Sequence, residues 1–257
     1  MFKKFGFIAI ALLVILSVSI FSQDTLTITG HPEYPPVSWL ENGKLVGVAS
    51  EIAKTVFTEL GIPHKTVALE SWEKVQNAAK NGEVDVVNAI YSNPERQDYM
   101  DYTLSFMKDP VAIFVWKGRD FEYNEWQDLK GKVGNTMIGE SYGPEFDQFI
   151  VDNLECNITL EMIQNFHELK DRIADYSIIG LYPGLAYLHS TAFKDSVEVL
   201  SNSVVEEDFY LTFSKKSQYT HLIPQVNEII QRLIDDGSIE KWITEFTEYY
   251  NTSKAAE

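Results

Sequence analysis

An arginine stands directly after a stretch that has the character of a buried strand. Residues 85–91 read DVVNAIY, and residues 92–106, SNPERQDYMDYTLSF, contain Arg96. A guanidinium group is always charged and binds a carboxylate through two parallel hydrogen bonds. Ligands of open α/β sheets bind beyond the carboxyl ends of the strands. Arg96 is therefore either a carboxylate-binding residue in a cleft or a surface arginine that pairs with Glu95 or Asp98.

Two aromatic residues occupy comparable positions after the other strands of the same half. Tyr34 lies in a proline-flanked turn after the first predicted strand, and Trp72 lies in the first turn of a helix after the second. Two such rings can enclose a flat or apolar ligand body, or a cation. The alternative is that Trp72 packs in the core and Tyr34 lies on the surface.

The second half of the chain offers a helix N-terminus. In the segment 133–149, VGNTMIGESYGPEFDQF, Gly139 supplies a tight turn and Ser141 stands at the predicted helix start. The free amides of a helix N-terminus bind anions. An arginine from one side and this N-terminus from the other could thus hold one carboxylate. The alternative is an ordinary capped helix, a feature of every α/β protein.

The elements that must position these residues alternate between strands and helices. The first unit reads as strand 25–30, helix 49–62, strand 64–70, helix 71–83 and strand 85–91. A second unit follows, with strands at 107–118, 158–163 and 177–183. Residues 124–153 read as a loop, a strand and a helix, and residues 165–176 as a helix with Asn165 as its cap. Such alternation favours parallel sheets with right-handed crossovers.

The end of the chain returns to the first unit. Residues 209–216 read as a strand, and residues 219–250 read as two helices separated at Gly237. The chain then crosses between two lobes twice, near 115–118 and 208–213, and two crossings predict a hinge. The predicted organisation is lobe 1 from 23–115 and 212–257, and lobe 2 from 116–211.

The N-terminal segment has the layout of a secretory signal peptide. Lys3 and Lys4 precede an apolar run, and the small residue Ser22 follows it, which predicts removal of residues 1–22 and a periplasmic protein. An uncleaved membrane anchor is the alternative. Loss of the two lysines changes the formal net charge from −17 to −19. So acidic a chain repels nucleic acid and anionic membranes, and a monomer is expected.

Composition and motifs exclude several other classes of protein. The five histidines are scattered, and no metal-ligand cluster, phosphate-binding loop or CxxC pair is present. Cys156 is the single cysteine and cannot form an internal disulfide. The sequence therefore predicts neither a bound metal nor an organic cofactor.

Taken in order, these segments resemble the family 3 periplasmic solute-binding proteins, which serve bacterial ABC importers of polar amino acids. The resemblance covers residues 24–250 and is most specific in the PER block at 94–96 and in GESYGPEF at 139–146. It implies an α/β fold of the Venus-flytrap kind (periplasmic binding protein type II). Each of the two lobes would be a mainly parallel sheet flanked by helices, with two hinge crossovers.

The resemblance also implies roles for single residues. Tyr34 and Trp72 fall on the ring-stacking pair, Arg96 on the carboxylate-binding arginine, and Ser141 on the second-lobe carboxylate donor that follows a glycine. The full predicted ligand-binding set is Tyr34, Trp72, Asn88, Tyr91, Arg96, Gly139, Glu140, Ser141 and Gly180. Asn88 and Tyr91 stand where the family has small polar groups, in a segment that is one residue shorter than in typical importer proteins.

One position departs from the family pattern. Where the family has an aspartate that receives the α-ammonium group of the ligand, this chain has Gly180. The acids that could act in its place are Glu140, Glu206, Glu207 and Asp208. The ligand is therefore predicted to carry a carboxylate, and whether it also carries an amino group stays open.

The predicted function is capture of a small carboxylate-bearing solute, an amino acid or a related organic acid, for an inner-membrane ABC permease. One alternative is a binding module that feeds a sensor instead of a transporter. Another is an enzyme of the cyclohexadienyl-dehydratase kind on the same fold, for which Glu140 could be the acid. We favour a binding protein over an enzyme.

Overall fold

The computed structural model describes residues 25–254, and the predicted signal peptide lies outside them. The strands are β1 (Leu26–Thr29), β2 (Glu33–Tyr34), β3 (Ser38–Glu41), β4 (Lys44–Val46), β5 (His64–Thr66), β6 (Val86–Ile90), β7 (Met100–Trp116), β8 (Val133–Met137), β9 (Glu155–Thr159), β10 (Tyr176–Gly180), β11 (Val197–Val199) and β12 (Val205–Ser214). The helices are α1 (Val48–Glu59), α2 (Trp72–Asn81), α3 (Pro94–Gln97), α4 (Pro144–Asn153), α5 (Met162–Asp171), α6 (Leu181–Ser190), α7 (Ile223–Asp235) and α8 (Ser238–Lys254), with short 3₁₀ turns at Trp126–Leu129 and Thr220–Leu222.

The main sheet runs through both lobes in the order β5-β1-β6-β12-β7-β10-β8-β9, and β11 pairs beside β7. β5, β1 and β6 are mutually parallel, as are β10, β8 and β9. The long strands β7 and β12 join the two parallel groups as an antiparallel pair. Two parallel α/β units connected by a shared strand pair confirm the predicted two-lobe fold.

The antiparallel pair β7–β12 carries the chain between the lobes. Its register shifts between Phe209 and Tyr210, opposite Met107 and Ser105, and Val111–Val115 already pair with β10 of the second lobe. The first predicted crossing, at 115–118, falls at the C-terminal end of β7, which ends at Trp116. The lobe boundaries themselves stay a prediction.

The prediction for residues 158–176 is partly wrong. The strand there ends at Thr159, and α5 begins at Met162 instead of after Asn165. Glu161 and Gln164 form a capping box, which satisfies backbone amides at the start of the helix and so stops the apolar run from continuing as a strand. Asn165 is buried inside the helix, where its side chain accepts a hydrogen bond of 2.6 Å from the Thr159 hydroxyl.

Separate apolar cores stabilise the two lobes. In the first lobe, α1, α7 and α8 pack on one face of the sheet through residues such as Val56, Phe213 and Ile230. In the second lobe, Phe166 and Phe146 lie in clusters on opposite faces of the sheet. Within residues 25–254, no helix combines the length and apolar character needed to cross a membrane.

Candidate functional site

Arg96 is a buried residue between the lobes. It lies in the single-turn helix α3, whose N-cap Asn93 accepts a hydrogen bond of 2.8 Å from the Arg96 amide. Only 3% of Arg96 is exposed, whereas the neighbouring Glu95 pairs with Lys80 at 3.6 Å. The surface-arginine interpretation is therefore excluded.

The Arg96 guanidinium donates only to neutral acceptors among the residues that the structure describes. Nε donates to Gln76 Oε1 at 3.2 Å, Nη1 to the Tyr91 carbonyl at 3.2 Å, and Nη2 to the Gly139 carbonyl at 3.1 Å. Its Cζ lies 5.5 Å from the centre of the Trp72 ring, within the range of a cation–π contact. A buried positive charge thus has no carboxylate among its hydrogen-bond partners.

Three donors of the first lobe converge on one oxygen of the second lobe. The Gly139 carbonyl accepts from Arg96 Nη2 and also from Trp72 Nε1 at 3.2 Å and Gln76 Nε2 at 3.4 Å. Gly139 has a φ of 79°, and a Cβ there would lie 3.2 Å from Gln76 Nε2. This cluster of donors suits an oxygen that carries negative charge, such as a carboxylate oxygen.

The residues that form this donor cluster follow from local sequence rules. Ser71 caps α2 by accepting from the Lys74 amide at 3.3 Å, and α2 ends at Asn81 with Gly82 as its C-cap, at the predicted Asn81-Gly82 stop. Trp72 is therefore the first helical residue, and Gln76 lies one turn later on the same face. Gln76 was not predicted as a site residue, although its spacing from Trp72 was the available signal.

Ser141 faces the first lobe, as expected, but not as a helix cap. The helix α4 begins at Pro144, and its cap is Gly143. The Ser141 hydroxyl accepts from Asn93 Nδ2 at 2.9 Å and donates to Asp147 Oδ2 at 2.5 Å. Ser141 therefore joins the two lobes at the mouth of the cleft through Asn93, which sequence reasoning missed.

Tyr34 and Trp72 are separated by a third ring, that of His31. The His31 ring centre lies 5.3 Å from that of Tyr34 and 4.8 Å from that of Trp72. His31 Nε2 is 3.3 Å from Glu140 Oε1 of the second lobe, a close contact of opposite charges when His31 is protonated, without hydrogen-bond geometry. His31 was not predicted as a site residue, and its position in the Tyr34 turn was the only signal.

Tyr34 and Tyr91 hold a buried carboxylate, that of Asp109. Their hydroxyls donate to Asp109 Oδ2 at 2.7 and 2.8 Å, and the two hydroxyl oxygens are 2.6 Å apart. Burial raises the pKa of Asp109 to about 6, although both hydroxyls and the Tyr182 amide act to lower it. Burial, and then the Asp109 charge, raises the pKa of both tyrosines well above the ordinary value, so both remain donors.

The structure places the remaining two predicted residues, Gly180 and Asn88, in different parts of the molecule. A Cβ at Gly180 would lie 1.9 Å from the Tyr34 hydroxyl, so no side chain fits there in this arrangement of the lobes. Asn88 is fully buried, and its Nδ2 donates to Ser50 of α1 at 3.0 Å. Asn88 thus faces the inside of the first lobe, whereas the other predicted residues meet between the lobes.

The lobes approach each other closely around these residues. The central cavity, which Tyr34, Trp72, Tyr91, Arg96 and Glu140 help to line, measures about 10 Å³, room for about one water molecule. A groove of about 500 Å³ lies beside Arg96 and Ser141. A ligand as large as an amino acid fits the central cavity only if the lobes separate. Across residues 25–254, no group of three or more His, Cys, Asp or Glu side chains could hold a metal ion.

Comparisons with known proteins agree with this two-lobed architecture. The family model of the bacterial extracellular solute-binding proteins, family 3, matches residues 26–248. The probable amino-acid-binding protein YxeM of Bacillus subtilis (strain 168) is 23% identical over 212 residues, which are 80% of this chain and 77% of YxeM.

Two solved structures have the same fold. The amino acid ABC transporter substrate-binding protein AbpA of Streptococcus pneumoniae, bound to L-arginine, superposes with a TM-score of 0.74 at 19% identity, covering 88% of this chain and 95% of AbpA. Holo ArgBP from T. maritima superposes with a TM-score of 0.67 at 22% identity, covering 85% of this chain and 95% of ArgBP.

Two lobes, a shared strand pair and a cleft between them define the fold class of the periplasmic binding proteins, type II. The extent of the family match identifies the group within this class. The chain belongs to the bacterial extracellular solute-binding proteins, family 3.

Proposed function

We propose that this protein captures a small carboxylate-bearing solute, an amino acid or a related organic acid, and delivers it to an inner-membrane ABC permease. One observation carries the proposal: three donors, one of them a buried guanidinium without an anionic partner, converge on the Gly139 carbonyl. The predicted export of the chain to the periplasm fits this role. A module that feeds a sensor would use the same capture step.

The ligand carboxylate would replace the Gly139 carbonyl as acceptor of these donors. A carboxylate forms charge-assisted hydrogen bonds with a guanidinium, and these are roughly twice as strong as bonds to a neutral carbonyl. Arg96 would supply the charge, and Trp72 and Gln76 would fix the orientation. Ser141 would contact the ligand from the second lobe, so a bound ligand would favour lobe closure through contacts on both sides.

The test is a thermal-shift screen of the mature protein against amino acids, 2-oxo acids and dicarboxylates. A ligand at 100 times its Kd stabilises the folded state by about 2.7 kcal/mol, which gives a measurable shift. We expect every hit to carry a carboxylate. Neutral sugars and metal ions are the comparison set, and a response to these alone would contradict the proposal.

The matched variants are Arg96→Gln and Arg232→Gln. Arg232 is an exposed arginine of α7 that pairs with Glu59, so its loss removes a charge far from the cleft. Arg96→Gln should abolish the ligand-induced shift, whereas Arg232→Gln should retain it. An undiminished shift in Arg96→Gln would show that the carboxylate binds elsewhere.

A further inference from the structure

The register of β7 and β10 brings an acid, Asp109, next to Gly180. Gly180, the last residue of β10, lies opposite Val111 of β7. Side chains two residues apart on a strand point to the same face, so Asp109 lies on the face of Val111, just beyond the carboxyl end of β10. Asp109 Oδ2 is 2.6 Å from the point that a Cβ of residue 180 would occupy.

The Asp109 carboxylate is buried without a cationic partner. It is fully inaccessible to solvent and forms no ion pair among the described residues. The groups that stabilise its charge are neutral: the Tyr34 and Tyr91 hydroxyls and the Tyr182 amide. Around Oδ2, the Tyr34 and Tyr91 hydroxyls make three short oxygen–oxygen contacts but supply only two hydrogens. Burial of a charge is costly unless the charge is paired. A cationic group next to Asp109 would therefore stabilise the buried carboxylate.

The other acids near the cleft are placed differently. Glu140 faces His31, and Glu206 and Asp208 lie near Lys108 in more exposed positions. Glu207 Oε1 lies 2.5 Å from the Cβ position of Gly143, at the start of α4. Of the acids beside the cleft, Asp109 is the one that adjoins Gly180.

Asp109 and Arg96 flank a single residue, Tyr91. The Tyr91 hydroxyl binds Asp109, and the Tyr91 carbonyl binds the Arg96 guanidinium. Asp109 also has neighbours from both lobes, Tyr34 on one side and Gly180 on the other. Separation of the lobes would therefore open a path to the carboxylate, next to the site proposed for the ligand carboxylate.

We propose that Asp109, in the strand β7 that passes between the lobes, receives the ammonium group of an amino-acid ligand. This inference rests on the proposed function and narrows it: the ligand is an amino acid and not an amine-free carboxylic acid. Tyr34 and Tyr91 act as positioning residues that hold the carboxylate.

The test compares the best amino-acid ligand with its 2-hydroxy analogue, which has the same side chain and carboxylate. Isothermal titration calorimetry is carried out on the wild type, on Asp109→Asn, and on Asp208→Asn as a matched control. The wild type should bind the amino acid about 10- to 100-fold more tightly than the analogue, the range typical of hydrogen bonds to charged groups. Asp109→Asn should lose this preference by weakening the amino acid only, and Asp208→Asn should keep it.

Several outcomes would overturn the inference, and one of them separates it from the proposed function. Equal binding of both compounds by the wild type, or an unchanged preference in Asp109→Asn, refutes the role of Asp109 while carboxylate capture stands. Binding of no carboxylate at all refutes the proposed function itself.

A second readout uses the wild type alone, so it does not depend on the folding of any variant. An ammonium group beside Asp109 lowers the pKa of this carboxyl from about 6, so amino-acid binding at pH 6 should release protons. The titratable groups that face Asp109 are Tyr34, Tyr91, Tyr182 and Glu140. Glu207 lies opposite Asp109 in the register of β7 and β12, and burial raises its pKa to about 7. Both compounds meet the same groups, so the difference in proton release between them reports the ammonium group. Calorimetry in buffers of different ionisation enthalpy measures the release, and equal release with the hydroxy analogue would contradict the inference.

Discussion

Asp109→Asn should make the ligand-free protein more stable at neutral pH than the wild type. The asparagine carbonyl still accepts from the Tyr34 and Tyr91 hydroxyls, and the side chain has nearly the same size. The substitution therefore removes the charge and replaces one carboxylate oxygen by an amide nitrogen. Because Asp109 is fully buried and has no cationic partner, its charge opposes folding.

The magnitude follows from the pKa of this carboxyl, which burial raises from 3.8 to about 6. Each unit of difference between the folded and unfolded pKa corresponds to 1.36 kcal/mol, so the ionised form costs about 3 kcal/mol. This cost increases with pH because the carboxyl group deprotonates at a lower pH in the unfolded chain than in the folded protein. The unfolded chain loses this proton first as the pH rises, so the cost of Asp109 grows between about pH 4 and pH 6 and is complete above pH 7.

Urea unfolding of the wild type and Asp109→Asn from pH 4 to pH 8 measures the effect. The free energy of unfolding of the variant, minus that of the wild type, should rise by about 2.4 kcal/mol between pH 4 and pH 7, because a small part of the cost is already present at pH 4. Any constant cost of the altered hydrogen bonds cancels in this pH dependence. A difference that stays flat, or that falls with pH, would refute the view that Asp109 is an unpaired buried charge.

Two further predictions concern the contacts between the lobes. Gly139→Ala should destabilise the protein by about 1 kcal/mol or more in urea unfolding, because the residue has a φ of 79° and a Cβ would lie 3.2 Å from Gln76 Nε2. An unchanged free energy of unfolding would contradict this. His31→Ala should shift the ligand preference toward amino acids with bulkier side chains, because it removes the ring between Tyr34 and Trp72. The thermal-shift screen tests this, and an unchanged order of hits would count against it.

The two-lobe fold could be predicted from sequence because local signals and family resemblance agree along most of the chain. The α2 cap at Ser71, the helix end at Gly82 and the cluster of strand ends are all visible in the sequence. The predicted start of α5 is wrong because apolar residues continue through the capping box at Glu161 and Gln164. Periodicity alone does not separate a strand from the first turn of a helix.

The candidate site was only partly predictable for a different reason. Arg96 and Trp72 follow strands directly, so their positions can be inferred from strand order. Asp109 lies in the middle of a 17-residue strand, and its relation to Gly180 depends on the antiparallel register of β7 and β10. Such a register is a property of the folded sheet, which local spacing does not specify.

The arrangement of buried charges in the cleft explains why Arg96 and Asp109 do not pair with each other. Tyr91 lies between them, bound to the guanidinium through its carbonyl and to the carboxylate through its hydroxyl. A direct ion pair would stabilise both buried charges, but neither charge would then be available to bind a ligand. Held apart, the two charges are complementary to the carboxylate and ammonium groups of one amino acid. The buried Asp109 charge lowers the stability of the ligand-free protein, and the ammonium group of a bound ligand would offset this cost. Such a conflict between stability and function is common at binding sites.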